Sequence, residues 1–163
     1  MLTFRKATKK DIELLRSLAR EIWFTCYPNI ISEQQIEYML DLMYSYKSIE
    51  QELQNDVQWF ILEEGTMPIG FLAFTVSDVD IKLNKLYLKA GCQGKGFGKA
   101  GLQYVIGYAK ENHCMRVYLT VNKNNAQAIK AYEKAGFVCT SSVVNDIGGG
   151  YVMDDYIYSY ELR

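Results

Sequence analysis

The sequence predicts an α+β fold, a mostly antiparallel sheet covered by helices, and three observations carry that prediction. The 163 residues are 49% hydrophobic and 23% charged, a mixture that suits one domain, residues 1–163, with one sizeable core. Stretches of strand character and stripes at helical spacing follow one another in the order β-α-α-β-β-β-α-β-α-β-β. Within that order lies a single strand-helix-strand unit, Ile81 to Val121, which also holds a cluster of glycines.

Leu2 to Ala7 reads as a first short strand. Thr8 and Asp11 have the spacing of a helix N-cap. Ile12, Leu15, Ala19, Ile22 and Cys26 then form a helical stripe that Pro28 ends. Ser32 and Gln35 make a second capping box, ahead of a helix carrying Ile36, Met39, Leu40 and Met43. A further short helix covers Ser48 to Gln54. Val57 to Leu62 and Phe71 to Val76 form a hairpin through Glu64-Gly65 and Pro68-Ile69-Gly70. Ile81 to Lys89 is another strand. Leu102, Val105, Ile106 and Ala109 mark the helix after the glycines. Val117 to Val121 is a strand, and a turn at Asn122 to Asn125 caps a helix through Ile129, Tyr132 and Ala135 that stops at Gly136. Phe137 to Val144 and Tyr151 to Leu162 are two last strands around Gly148-Gly149-Gly150.

Composition excludes several function classes. Eighteen Lys+Arg against nineteen Asp+Glu argue against a generally basic nucleic-acid binder. No apolar run approaches membrane-spanning length. The start, MLTFRKATKKD, lacks the apolar core of a secretory signal, and four scattered cysteines read as free thiols, so a cytoplasmic protein is expected. One histidine, His113, argues against a His-rich zinc site and weakens a Ser-His-Asp reading, so no metal is expected. With thirteen tyrosines present, a proton-transfer role can fall to one of them. Charge is segregated along the chain. Lys82 to Lys134 holds ten Lys/Arg and two Asp/Glu, whereas Glu21 to Asp80 holds eleven Asp/Glu and only Lys47. Solvated helix faces explain any single charge. The segregation suggests an anion held by the second half and a cation drawn to the first.

Gly91, Gly94, Gly96, Gly98 and Gly101 fall within eleven residues, between a strand and a helix. Such backbone approaches a ligand closely, and its N–H groups together with the helix N-terminus suit a pyrophosphate. A Walker loop fails, because Phe97 stands where Lys is needed. Gly96, Gly98 and Gly101 meet the dinucleotide spacing, but Thr120, Val121 and Asn122 occupy the place of the acidic ribose partner.

A third pattern fits better. Leu86-Tyr87-Leu88, followed by Gln93-x-x-Gly96-x-Gly98 and a helix, resembles the acyl-CoA loop of the GNAT superfamily of N-acetyltransferases. Val121-Asn122-x-x-Asn125-Ala126-x-x-Ile129-x-x-Tyr132-Glu133-x-x-Gly136-Phe137 resembles its second hallmark, at the usual separation. The resemblance implies a central sheet with one splayed parallel strand pair and helices on both faces. It implies acetyl-CoA as cosubstrate and direct transfer of acetyl to a primary amine. Leu86, Tyr87 and Leu88 would offer main-chain contacts to the pantetheine arm. Gln93, Gly94, Lys95, Gly96, Phe97, Gly98 and Lys99 would form the phosphate cradle. Asn125 would contact the cofactor, although Asn is also a strong N-cap. Tyr132 would protonate the departing thiolate, although on spacing it also suits the core.

The strands before the loop and before the second motif lack the glutamate base that many members place there. A water chain, Glu21, or the pair Asp154 and Asp155 remain as candidates. The acceptor regions supply Trp23, Tyr27, Glu33, Tyr38 and Asp41, then Asp154, Asp155 and Tyr156. Acid with aromatic lining suits a small cationic amine such as a polyamine, though it also suits a merely soluble exterior. A peptide N-terminal acetyltransferase, a non-catalytic acyl-CoA sensor and a dinucleotide oxidoreductase are the rival readings. A homodimer is compatible with all of them.

Overall fold

The computed structural model describes residues 1–162. One seven-stranded sheet runs in the order β1-β2-β3-β4-β5-β7-β6. β1 (Leu2–Lys6), β2 (Val57–Glu64), β3 (Met67–Val76) and β4 (Asp80–Leu88) pair antiparallel, as do β5 (Arg116–Asn122), β7 (Tyr151–Glu161) and β6 (Val138–Gly148). β4 and β5 are parallel and meet at only three residue pairs, Asp80 with Arg116, Ile81 with Val117 and Lys82 with Tyr118. Beyond them the strands diverge, so residues 83–88 and 119–122 face each other without a ladder. A bulge promotes the divergence. Ala73 pairs with Lys85 and Phe74 with Leu83, which leaves Asn84 as the extra residue, its amide donating to Thr75 Oγ1 at 2.7 Å.

Helices cover both faces, as the resemblance implies. α1 (Ile12–Cys26), α2 (Glu33–Met43) and α3 (Tyr46–Gln54) pack on one, with Trp59, Ile61, Phe71 and Ala73 beneath them. α4 (Phe97–Glu111) and α5 (Ala126–Lys134) lie on the other, over Phe60, Leu62, Leu72 and Phe74. Alternate residues of β2 and β3 thus feed two separate cores, which is why these strands read as continuous apolar runs.

Local signals place the elements. The Thr8 amide donates to the Asp11 carboxylate at 2.9 Å, and Ser32 Oγ accepts from the Gln35 amide at 3.1 Å. α3 starts two residues earlier than expected, because Ser45 is its cap and accepts from the Ser48 amide at 3.1 Å. β6 runs to Gly148, four residues past the expected end, through pairing with β7. The tip of that hairpin is tied to α2. Tyr38 donates its hydroxyl to the Ile147 carbonyl at 2.7 Å, and the Gln35 side-chain amide donates to the Val152 carbonyl at 3.2 Å. Among the described residues no helix is long and apolar enough to cross a membrane.

Candidate active site

The opening between β4 and β5 is the natural crevice, and the glycine loop stands at its mouth. After Leu88 the chain makes a short 3₁₀ turn, Ala90–Cys92, and enters α4 at Phe97. Gly94 has φ +80° and Gly96 φ +82°, left-handed conformations that glycine adopts without strain. A Cβ at either position would meet no atom within 4 Å, so the loop backbone is open. No side chain caps α4 at Gly96, and the first amide of the helix to find a backbone partner in the loop is that of Ala100, which donates to the Gly96 carbonyl at 3.0 Å. The amides of Phe97, Gly98 and Lys99 are the orphan donors of a helix start. Lys95 and Lys99 are exposed beside them. This arrangement fits an anion of pyrophosphate type.

Leu86 and Leu88 send their side chains into the α4 core, leaving their main chain along the unpaired stretch of β4. α4 approaches β4 closely at Gly101, where a Cβ would lie 2.9 Å from Leu86 Cδ1. Gln93 does more than sequence reasoning assigned to it. Its amide nitrogen donates to Cys26 Sγ at 3.7 Å, and its oxygen accepts from Gln127 at 3.0 Å. It therefore braces the loop against the end of α1 and the start of α5. No motif announced this strut, because its partners are 67 and 34 residues away.

Asn125 caps α5, its oxygen accepting from the Ala128 amide at 3.3 Å. Tyr132 lies two helical turns on and so shares a face with Asn125. Burial, aided by the neighbouring Tyr27, pushes the Tyr132 phenol well above its ordinary pKa. It holds its proton at neutral pH and is a donor, not a base.

The remaining predicted residues separate. Trp23 is 1% exposed, stacked on Tyr27 at 4.5 Å and enclosed by Tyr44 and Tyr87. The expectation that it lines the acceptor site is corrected: it is a core residue that backs the wall. Tyr27 is 7% exposed, and its hydroxyl lies 3.2 Å from that of Tyr87. The Tyr87 side chain thus belongs to this aromatic wall on the α1 face, a contact that the strand pattern did not disclose. Burial raises the pKa of Tyr27, and Asp155 and Cys26 add to the effect. Asp154 and Asp155, adjacent on β7, point to opposite faces. Asp154 is exposed and bound to Lys123 at 2.7 Å. Asp155 is 5% exposed and its Oδ1 has no hydrogen-bond partner. Burial raises its pKa and Asp154 adds to that, while Lys123 and Lys82 oppose it. Glu33 and Asp41 are exposed on α2, and Tyr156 lies on the other face under Lys123, 5.4 Å from its ring centre.

Comparison with known proteins agrees with this geometry. Residues 16–137 match the model of the acetyltransferase (GNAT) family. The spermidine N(1)-acetyltransferase of Thermoplasma acidophilum is 28% identical over 159 residues, spanning 94% of this chain and 96% of that protein. A spermine/spermidine N(1)-acetyltransferase of Bacillus subtilis is 35% identical over 72 residues, 44% of this chain and 46% of that protein. The crystal structure of PaiA N-acetyltransferase from Thermoplasma acidophilum in complex with coenzyme A superposes with a TM-score of 0.83, at 26% identity and 99% coverage of both chains.

Proposed function

The chain belongs to the acetyltransferase (GNAT) family and is an N-acetyltransferase, and from that premise we propose that it acetylates a primary amine of a small cationic acceptor of polyamine type, as one catalytic domain. The observation that carries the reading is the Gln127–Gln93 bond of 3.0 Å, which ties the glycine loop at the β4–β5 split to α5, the helix that carries Tyr132. The buried carboxylate of Asp155 and the hydroxyl of Tyr27 on the α1 face suit an amine, and the full-length relative named for spermidine acetylation supports that class.

Acetyl-CoA supplies the activated acyl thioester. The amides of Phe97, Gly98 and Lys99, with Lys95 and Lys99 beside them, hold the diphosphate. The main chain of residues 86–88, unpaired on its β5 side, orients the arm along the split, and the Leu88 N–H stabilises negative charge on the carbonyl oxygen as it develops. Tyr132 donates its proton to the leaving sulfur and recovers one from solvent. The side chains of Asn125 and Gln93 hold α5 and the loop in register around that point.

The test is an acceptor screen. Coenzyme A should raise the melting temperature and NAD(P) should not. Acetyl transfer should be found with spermidine or spermine ahead of amino acids and peptide N-termini. Tyr132→Phe should lower kcat by about a hundredfold with coenzyme affinity unchanged. Peptide turnover without polyamine turnover would overturn the acceptor class, and coenzyme binding without any turnover would favour a sensor.

A further inference from the structure

The reaction has two protons to move, and Tyr132 accounts for one. The acceptor arrives as an ammonium, and its nitrogen attacks only after losing a proton. Sequence reasoning left Glu21, Asp154, Asp155 and water as candidates to receive it. Their surroundings in the fold now separate the side chains. Glu21 is exposed and lies 3.8 Å from Lys89 Nζ. Asp154 is exposed and paired with Lys123 at 2.7 Å. Asp155 is buried, and its Oδ1 is without a partner.

A buried charge without a partner is rare, because desolvation costs several kcal/mol unless something compensates it. The contrast with Lys85 makes the point within the same molecule. Lys85 is equally buried, but its ammonium lies 3.5 Å from Glu52 and over the rings of Trp59 and Tyr44 at 4.8 and 5.5 Å. Asp155 has no such arrangement. Its position is also telling. It is paired in register with Asn122, the last residue of β5, beside the opening of the split. Tyr27, at the end of α1 on the same wall, lies near enough to feel the Asp155 carboxylate. Asp155 thus stands at the open end of the split on the α1 face, while Tyr132 on α5 packs against the opposite face.

We propose that Asp155 is the general base, its carboxylate taking the proton that the acceptor ammonium loses before attack. The inference rests on the acetyltransferase reading above and deepens it. The N–H proton passes to the Asp155 carboxylate. The nitrogen lone pair forms the C–N bond, the C–S bond breaks with its electrons staying on sulfur, and Tyr132 supplies the proton that sulfur takes. The second proton, shed by the acylated nitrogen, goes to solvent, from which Tyr132 is reprotonated. Asp155 then releases its proton to solvent. In water a carboxylate is far too weak to deprotonate an alkylammonium. In a crevice that desolvates both, the neutral pair is favoured over the charged one. The charged and titratable groups whose charge reaches Asp155 are Asp154 on its own strand, Lys123 after β5, Lys82 on β4 and Tyr27 after α1.

The experiment compares the wild-type full chain with Asp155→Asn and Lys123→Met, using spermidine and 1,5-diaminopentane as acceptors across pH. The variant Asp155→Asn keeps the shape of the side chain. Its kcat should fall at least thirtyfold near neutrality with an unchanged KM for acetyl-CoA, and the fall should narrow as pH approaches the amine's own pKa. The acidic limb that the wild-type kcat/KM profile owes to Asp155 should be replaced in this variant by a rise that continues to the amine's own pKa. Lys123→Met removes a cation that favours ionised Asp155, so it should move the wild-type limb to higher pH. A limb that stays at its wild-type position in Asp155→Asn, a fall under threefold, or a raised acceptor KM with unchanged kcat would each overturn the proposal. If Asp155→Asn does not fold, an unmoved limb in Lys123→Met overturns it. These failures leave wild-type turnover intact. Absence of wild-type transfer to any amine would instead strike the acetyltransferase reading, and the base with it.

Discussion

On the α4 side of the crevice the working groups are main-chain amides held by a run of nine residues, Gly91 to Lys99. On the α1 side they are side chains gathered from α1 and its end, β4 and β7, with Tyr27, Tyr87 and Asp155 drawn from positions as much as 128 apart in the chain. The first wall rests on the core through Cys92 and Phe97 but stands open at Gly94 and Gly96, where a Cβ would touch nothing. The second is continuous with the core, since Trp23, Tyr44, Trp59 and Phe71 pack directly behind it. The difference teaches that damage should separate: injury to the aromatic wall reaches the fold, and injury at the two open glycines of the loop reaches only the ligand.

The largest expected effect comes from the aromatic side. Trp23→Ala removes a fully buried indole and should cost about 3–5 kcal/mol of stability, read from the midpoint of urea unfolding. A cost below ~1 kcal/mol would show that the wall is not part of the core. Gly96→Val comes next. A β-branched residue resists φ +82°, at a strain of about 2 kcal/mol, so coenzyme A should bind roughly thirtyfold more weakly by calorimetry. The unliganded protein should still unfold cooperatively, because no neighbour is displaced. The smallest effect belongs to the double change Lys95→Ala with Lys99→Ala. These exposed cations act through screened attraction, so affinity should fall only several-fold in low salt and scarcely at all in high salt. An effect as large as that of Gly96→Val would mean that the lysines, not the amides, carry the anion.

The same contrast explains what could be read from residues alone. A loop that works through its backbone must write its glycines contiguously, and the Asn125–Tyr132 spacing is likewise confined to one helix, so both were legible. The split was legible only through the resemblance, because the bulge at Asn84 leaves no mark in the apolar pattern. Trp23 was misread for a physical reason. The stripe Ile12, Leu15, Ala19, Ile22 predicts one buried face, but α1 is covered by the sheet and also by α2 and α3, so burial widens to include Leu18 and Trp23. The Asp154–Asp155 pair could not be resolved until strand pairing assigned each to a face.

The buried carboxyl of Asp155 also bears on the folding equilibrium. Unfolded, Asp155 titrates near the ordinary value of 3.8; folded, it resists ionisation. Below that value both states keep the proton and the group is neutral to the balance. As pH climbs past it the unfolded chain ionises first, so native stability declines through the window that ends at the raised folded value, and the deficit persists at neutrality. A cation settling against Asp155 relieves that deficit, so the guest that completes the crevice also tightens the molecule that holds it.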